Sequence, residues 1–393
     1  MAVAIVAAGL SACGGRPPKG VMEPVATPLP AGAKPVPLFV ATTRARPKDP
    51  LLMFAGERSR SLDFARVVIS VPPDHVAGEI EWPRSAVGDP AQHFVTTDRS
   101  FLKDETFIDG IRKAVASRPP GERTVLLFIH GYNTMFEEAV YRLAQIVNDS
   151  GFKGVPVLFT WPSRGQVLQY PYDRESAIFS RDELEEIMNQ IARKSGATKF
   201  DVLAHSMGNM LFMETLRQAA IRGNGTFGGK LGEVMLAAPD IDIDVFRKQI
   251  RTVLPLRIPI TIFVSADDKA LGISKFVWGG EARAGATTIS DPEILARLEK
   301  NNITVVDLSD VKTDDRTNHG KFAASPQVVQ LIGKRLAADG GVKGRGAGLG
   351  ESLAIFGGAV GRTVGGAVAL PATIVGGAVD TATQGHSGHH EEE

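Results

Sequence analysis

Short apolar runs alternate with longer segments in which apolar residues recur every three or four positions. Val125 to Ile129 (VLLFI) and Val155 to Thr160 (VPVLFT) are of the first kind; Met135 to Asn148 and Ser176 to Lys194, which follow them, are of the second. The order repeats with Phe200 to Ala204 before Met207 to Ile221, and Leu231 to Ala237, Ile258 to Ser265 and Ile303 to Leu308 complete the apolar set. Uninterrupted apolar runs suit strands covered on both faces, so the pattern predicts a mostly parallel, doubly wound sheet with helices on both sides. Upstream, Pro37 to Thr43, Ala65 to Val71 and His93 to Thr97 are strand-like, with Pro and Gly clusters and no helix between them. They are expected to form an antiparallel N-terminal edge on the same sheet. Nothing from Pro37 to Leu336 marks a domain boundary, so one domain is expected over residues 37–336.

The two ends differ from this pattern. Residues 1–13 form a short apolar run closing on Leu10-Ser11-Ala12-Cys13, which resembles the lipobox of bacterial prolipoproteins and implies a signal peptide and lipidation at Cys13. No Lys or Arg precedes the run. Residues 14–36 are rich in Pro and Gly without periodicity and read as an extended tether. Residues 337–393 form a Gly- and Ala-rich low-complexity tail in which Gly357, Gly361 and Gly365 keep a spacing of four. That spacing permits close helix packing in lipid, but Arg362 and Pro371 oppose a spanning helix, which leaves an unstructured or membrane-surface tail as the expectation.

Charge and cysteine content narrow the function. Lys+Arg and Asp+Glu both number 44 in 393 residues, so no global field favours a polyanion, and nucleic acid is excluded as an expected partner. The single cysteine leaves no internal disulfide and no cysteine-built zinc site. No metal and no cofactor is expected.

The chemistry centres on Ala204-His205-Ser206-Met207-Gly208, which lies between a strand and a helix. A serine hydroxyl is a weak nucleophile near neutral pH. A sharp strand-to-helix turn flanked by small residues exposes it above a sheet and within reach of a base. The alternative is that Ser206 only caps the helix. An oxyanion site requires a backbone N–H from the residue after the nucleophile and another from an earlier loop, which makes Met207 and Tyr132, in His130-Gly131-Tyr132-Asn133, the candidate donors. A base is expected after the nucleophile in the chain. His75, His93 and His130 come too early, His205 adjoins the nucleophile, and His386, His389 and His390 lie in the tail. His319 is what remains. Asp268 is the first choice for the orienting acid, with Asp267 and then Asp240 behind it.

Together FIHGYNTMFEEAVYRLAQ, VLFTWPSRG, YDRESA, LAHSMGN, LAAPDID, SADDKAL and the NHG loop resemble a bacterial branch of the α/β-hydrolase superfamily, esterase- or lipase-like hydrolases without an established function. PLFVATTR and ISVPPDHVAGEIEWP extend the likeness to about Pro37 to Leu336. The resemblance implies the α/β-hydrolase fold, with Ser206 as nucleophile, His319 as base and Asp268 as acid. Trp161 and Ser163, at a strand's C-terminal end, are open to a pocket-lining role or a structural one.

The expected function is cleavage of carboxylic esters, either small molecules or lipids, through an acyl-enzyme. The expected location is the bacterial cell envelope, facing the periplasm, held by a lipid anchor at Cys13 with the Gly-rich tail as a second membrane contact; an unprocessed lipobox would leave the protein periplasmic or cytoplasmic. Amidase, thioesterase or peptidase activity on the same triad is the rival enzyme reading. A non-enzymatic envelope lipoprotein that uses the fold as a scaffold is the rival from another class.

Overall fold

The computed structural model describes residues 16–268, 300–313 and 319–337, and the backbone of 363–364 and 367–369. Cys13, Gly357, Gly361 and the three tail histidines lie outside the described residues.

Among the described residues eleven strands form one sheet, in the order β10-β11-β9-β8-β7-β6-β4-β5-β1-β2-β3. They are β1 (Lys34–Arg44), β2 (Arg58–Val71), β3 (Val95–Leu102), β4 (Thr124–Ile129), β5 (Val155–Thr160), β6 (Lys199–His205), β7 (Leu231–Ala237), β8 (Ile260–Val264), β9 (Ile303–Asp307), β10 (Thr363–Val364) and β11 (Ala367–Ala369). The pairings from β1 through β5, β4, β6, β7 and β8 to β9 are all parallel. β2 and β3 continue the sheet antiparallel at the N-terminal edge, as the helix-free spacing predicts. At the other edge β11 runs parallel to β9 and β10 antiparallel to β11, so this part of the tail is paired into the sheet instead of unstructured.

Alternate residues of the central strands feed two separate cores. Leu127 of β4 and Val157 of β5 face α1 (Asp104–Ala116), α4 (Arg181–Lys194), α5 (Met207–Ile221) and α6 (Ile243–Val253). Leu126 and Leu158, one position earlier or later, face α2 (Phe136–Ser150) and α8 (Pro326–Ala337). Each fully buried large side chain, such as Phe128 or Phe212, contributes roughly 1.5–3 kcal/mol of transfer free energy. The long helix expected over Ser176 to Lys194 is two helices, α3 (Tyr170–Phe179) and α4, broken at the buried Ser180. Its hydroxyl bonds back to Ser176 O at 2.8 Å and meets Thr43 Oγ1 at 2.7 Å, a local competitor to the helical ladder.

Residues 16–36 are not an extended tether over their described part. Val21 and Met22 are buried in the core beneath α2, and Tyr141 donates its hydroxyl to Val21 O at 2.9 Å. This segment supplies apolar side chains that cover the second core, and β1 begins inside it at Lys34.

Candidate active site

The central strands end at one edge of the sheet, and the loops that leave those ends carry the candidate residues. Ser206 follows β6 directly, with φ 53° and ψ −122°, a left-handed-side conformation that a non-glycine residue adopts only under constraint. The constraint is visible. Ser206 N donates to Ala237 O at 2.9 Å, and Asn209, fully buried in the first turn of α5, donates its amide to both Ser206 O (3.1 Å) and Ala237 O (2.8 Å). Asp240 N also donates to Ser206 O, at 3.2 Å. The hydroxyl of Ser206 makes no capping hydrogen bond to α5, which removes the reason a plain N-cap serine would have for this position.

The small residues of the turn are required by close approach. A Cβ on Gly208 would stand 2.4 Å from His130 O, and one on Gly131 would stand 2.8 Å from Ser206 Cβ. Gly131 thus brings the loop after β4 against the serine. Its peptide is oriented from below by His130, which is buried and stacked on Trp161 at 4.9 Å. Thr160 Oγ1 lies 2.9 Å from His130 Nε2 and accepts from Arg44 Nε at 2.8 Å, so its hydroxyl donates to Nε2; the proton of the ring is then on Nδ1, which donates to Gly131 O at 2.7 Å. Burial, reinforced by the Arg44 charge, pushes the His130 pKa well below its usual value and keeps the ring in this neutral tautomer. In a trans peptide N–H and C=O point opposite ways, so Tyr132 N–H is directed away from the His130 ring. Met207 is the first residue of α5, where a helix leaves its N–H without an intrahelical partner.

His319 and Asp268 meet across the loops after β9 and β8: Nδ1 donates to Asp268 Oδ2 at 2.7 Å, with the Asp268 side chain fully buried. His205, behind them, packs its ring 4.8 Å from that of His319 and 4.5 Å from Phe322, and donates Nε2–H to His319 O at 3.3 Å. Burial first, and the His319 charge second, push the His205 pKa well below its ordinary value. The rival acids make bonds of their own. Asp267 accepts from the Nζ of buried Lys321 at 2.8 Å through both oxygens, and Asp240 accepts from Tyr170 Oη at 2.9 Å.

Residues 109–335 match the family described as "Alpha/beta hydrolase of unknown function (DUF900)". The chain belongs to that family. An uncharacterized protein of the cyanobacterium Nostoc, alr1448, is 26% identical over 156 residues, which cover 33% of this chain and 41% of the relative; the chain therefore spans less than half the length of that curated relative. Brefeldin A esterase, titled a bacterial homologue of human hormone sensitive lipase, aligns over 81% of this chain and 80% of its own at 11% identity and a TM-score of 0.34. The product of lin2722 from Listeria innocua aligns over 54% and 93% at 11% identity and a TM-score of 0.32.

Of the two roles open to Trp161 and Ser163 in this α/β hydrolase, the structure favours the supporting one. Trp161 is wholly buried and donates Nε1–H to His130 O at 2.9 Å; Ser163, also buried, donates to Asp173 Oδ2 at 2.5 Å and accepts from Thr134 N at 3.0 Å. Neither lines an open pocket. The aromatic side chains nearer the crevice are Tyr132 and Tyr170, whose rings meet edge to face at 5.1 Å. Burial, with Asp173 and Asp240 nearby, raises the Tyr132 phenol to about 12, so it stays protonated and donates to Val167 O at 2.7 Å.

Several functional supports carry no sequence signal of their own. Arg44 is buried, and burial lowers its pKa to about 10; it donates to Thr160 Oγ1 and to the carbonyls of Ala55 (3.1 Å), Ser163 (2.8 Å) and Thr134 (2.8 Å), which ties the loops after β1, β4 and β5 together. Asp173, buried and raised in pKa by that burial, accepts from Asn133 N at 3.1 Å and Arg164 N at 2.9 Å. In the sequence these residues look like ordinary surface charges. Among the described residues no cluster of three or more metal-type ligands occurs, and no helix is long and apolar enough to cross a membrane.

Proposed function

We propose that the protein is a serine hydrolase that cleaves carboxylic esters through an acyl-enzyme. Ser206 attacks the carbonyl carbon, His319 takes the hydroxyl proton and returns it to the leaving alcohol, and Asp268 holds the imidazole in the tautomer that can do so. The N–H groups of Met207 and Tyr132 receive the negative charge that develops on the carbonyl oxygen. Water then repeats the sequence on the acyl-enzyme and releases the acid. The observations that carry the reading are the 2.7 Å Asp268–His319 bond and a serine held at positive φ without a capping bond. Esters are favoured over amides because the alcohol leaves without needing a strong proton donor.

Ser206→Ala is expected to abolish turnover of p-nitrophenyl acetate or butyrate and labelling by a fluorophosphonate probe. Labelling that survives the substitution would remove the serine from the mechanism, and a matched amide cleaved faster than its ester would move the reading to an amidase. We further propose a lipid anchor at Cys13 in the bacterial envelope; metabolic labelling with a palmitate analogue that persists in Cys13→Ala would exclude it.

A further inference from the structure

The loop that carries Tyr132 is gripped from outside by a residue of the N-terminal segment. Arg16 donates Nη2–H to Asn133 Oδ1 at 2.6 Å and to Gly165 O at 2.7 Å, and Nη1–H to Asn133 O at 3.2 Å and to Glu138 Oε2 at 2.6 Å. One guanidinium thus spans the loop after β4, the loop after β5 and the first turn of α2. Asn133 sits at φ 58°, a conformation that its short amide tolerates but does not prefer. Its own N–H goes inward to Asp173. The peptide next to Tyr132 is therefore held on one side by a buried carboxylate and on the other by an arginine more than a hundred residues away in sequence. Glu138 completes the grip, since its carboxylate also accepts from Met135 N at 2.7 Å, the N-cap of α2.

We propose that Arg16 is a positioning residue for the oxyanion site: its guanidinium fixes the 131–134 loop in the conformation that presents Tyr132 N–H. The inference rests on the reading of Ser206 and Tyr132 given above. A point charge on a flexible stem cannot replace a planar fork shared among four acceptors, so lysine is not an equivalent. The side chain is 42% exposed, so its loss leaves the core intact.

The test uses the full chain and three variants, Arg16→Ala, Arg16→Lys and, as a control on the same segment, Lys19→Ala, whose partner Asp49 lies away from the site. In Arg16→Ala, kcat for p-nitrophenyl butyrate is expected to fall by about ten-fold with KM and thermal midpoint nearly unchanged, because loosening one oxyanion donor costs less than the roughly 10²–10³-fold of deleting it. Arg16→Lys is expected to recover only part of that loss, and Lys19→Ala to behave as wild type. Hydrogen–deuterium exchange of the 130–135 peptide should accelerate in Arg16→Ala. Unchanged kcat in Arg16→Ala overturns the proposal, as does an equal loss in Lys19→Ala, which would trace the effect to the segment and not to the guanidinium. Should the wild-type chain turn over no ester, the reading of Ser206 is what fails, and exchange decides the clamp: acceleration supports it and unaltered exchange overturns it.

Discussion

The buried Lys321 reaches out to the exposed Asp267 and forms a tie that runs beside the Asp268–His319 bond. Adjacent aspartates on one loop thus engage two residues, two apart, on another. Lys321 Nζ also donates to Leu308 O at 2.9 Å and Ser309 O at 3.2 Å, so a single ammonium closes the loop after β8, the end of β9 and the start of α7 (Lys321–Ala324). Removing it leaves two carbonyls short of a donor and a half-exposed carboxylate without its cation. Lys321→Met is expected to lose about 1–3 kcal/mol of stability, chiefly from the buried carbonyls left without a donor. In a double-mutant cycle with Asp267→Asn, read by denaturant unfolding, the two losses should fall well short of additive. Additive losses would mean that the tie does not act as a unit.

The acid assignment is separable by substitution. Asp268→Asn should reduce kcat by about 10⁴-fold, because an amide in that place favours the wrong tautomer of His319. Asp240→Asn, which exchanges the acceptor for Tyr170 Oη, should stay within about ten-fold of wild type. Comparable losses in the two variants would reopen the choice.

Gly131 is positioned by contact with the serine and not by its backbone angle. Gly131→Ala would place a methyl 2.8 Å from Ser206 Cβ and 2.9 Å from His205 Nδ1. Both neighbours must move. A fall in kcat of at least about 100-fold is expected, since displacement of a reacting group by an ångström has that order of effect. Steady-state kinetics beside a thermal melt checks this: the kinetic loss should exceed what the shift in midpoint explains.

Away from the site, His75 locks the loop after β2 onto the end of α2. It bonds Glu81 Oε2 at 2.8 Å through Nδ1 and Asp149 Oδ1 at 2.7 Å through Nε2, and Asp149 also accepts from Gly78 N. Burial alone would lower its pKa, but the bonds to Asp149 and Glu81 outweigh burial and raise it from 6.5 to about 9. The charged form is therefore the folded-state preference. Its contribution, on the order of 3 kcal/mol, is complete below pH about 6.5 and is lost as pH rises through about 9. Unfolding free energies measured from pH 6 to 10 should decline over that window, and His75→Gln should flatten the decline. An equally steep decline in the variant would assign it to other groups.

The fold was legible wherever burial on both faces wrote an apolar run. β4, β5, β6 and β7 fall within about a residue of the runs that announce them, and α5 coincides with its pattern. Less visible were α1 and α6, which bury one face against the sheet and carry charges on the other: DETFIDGIRKAVA holds a glycine mid-helix, and IDVFRKQIRTV continues a loop of aspartates. Neither reads as a helix until the sheet supplies its partner. In the site, chain order singled out Ser206 and His319 because nucleophile and base must follow strands in sequence. Arg16, Arg44, Asp173 and Lys321 could not be found that way. Their partners are backbone carbonyls and amides of loops distant in sequence, and a carbonyl leaves no trace in the identity of its residue.

The His205–His319 contact settles how many protons the base region stores. Two touching imidazoles could in principle form a two-step buffer. Here burial first, and the His319 charge second, push the His205 pKa well below its ordinary value. With His319 as the base proposed above, the acid limb of activity is expected to follow a one-proton curve, His205 standing as a neutral neighbour instead of a second switch.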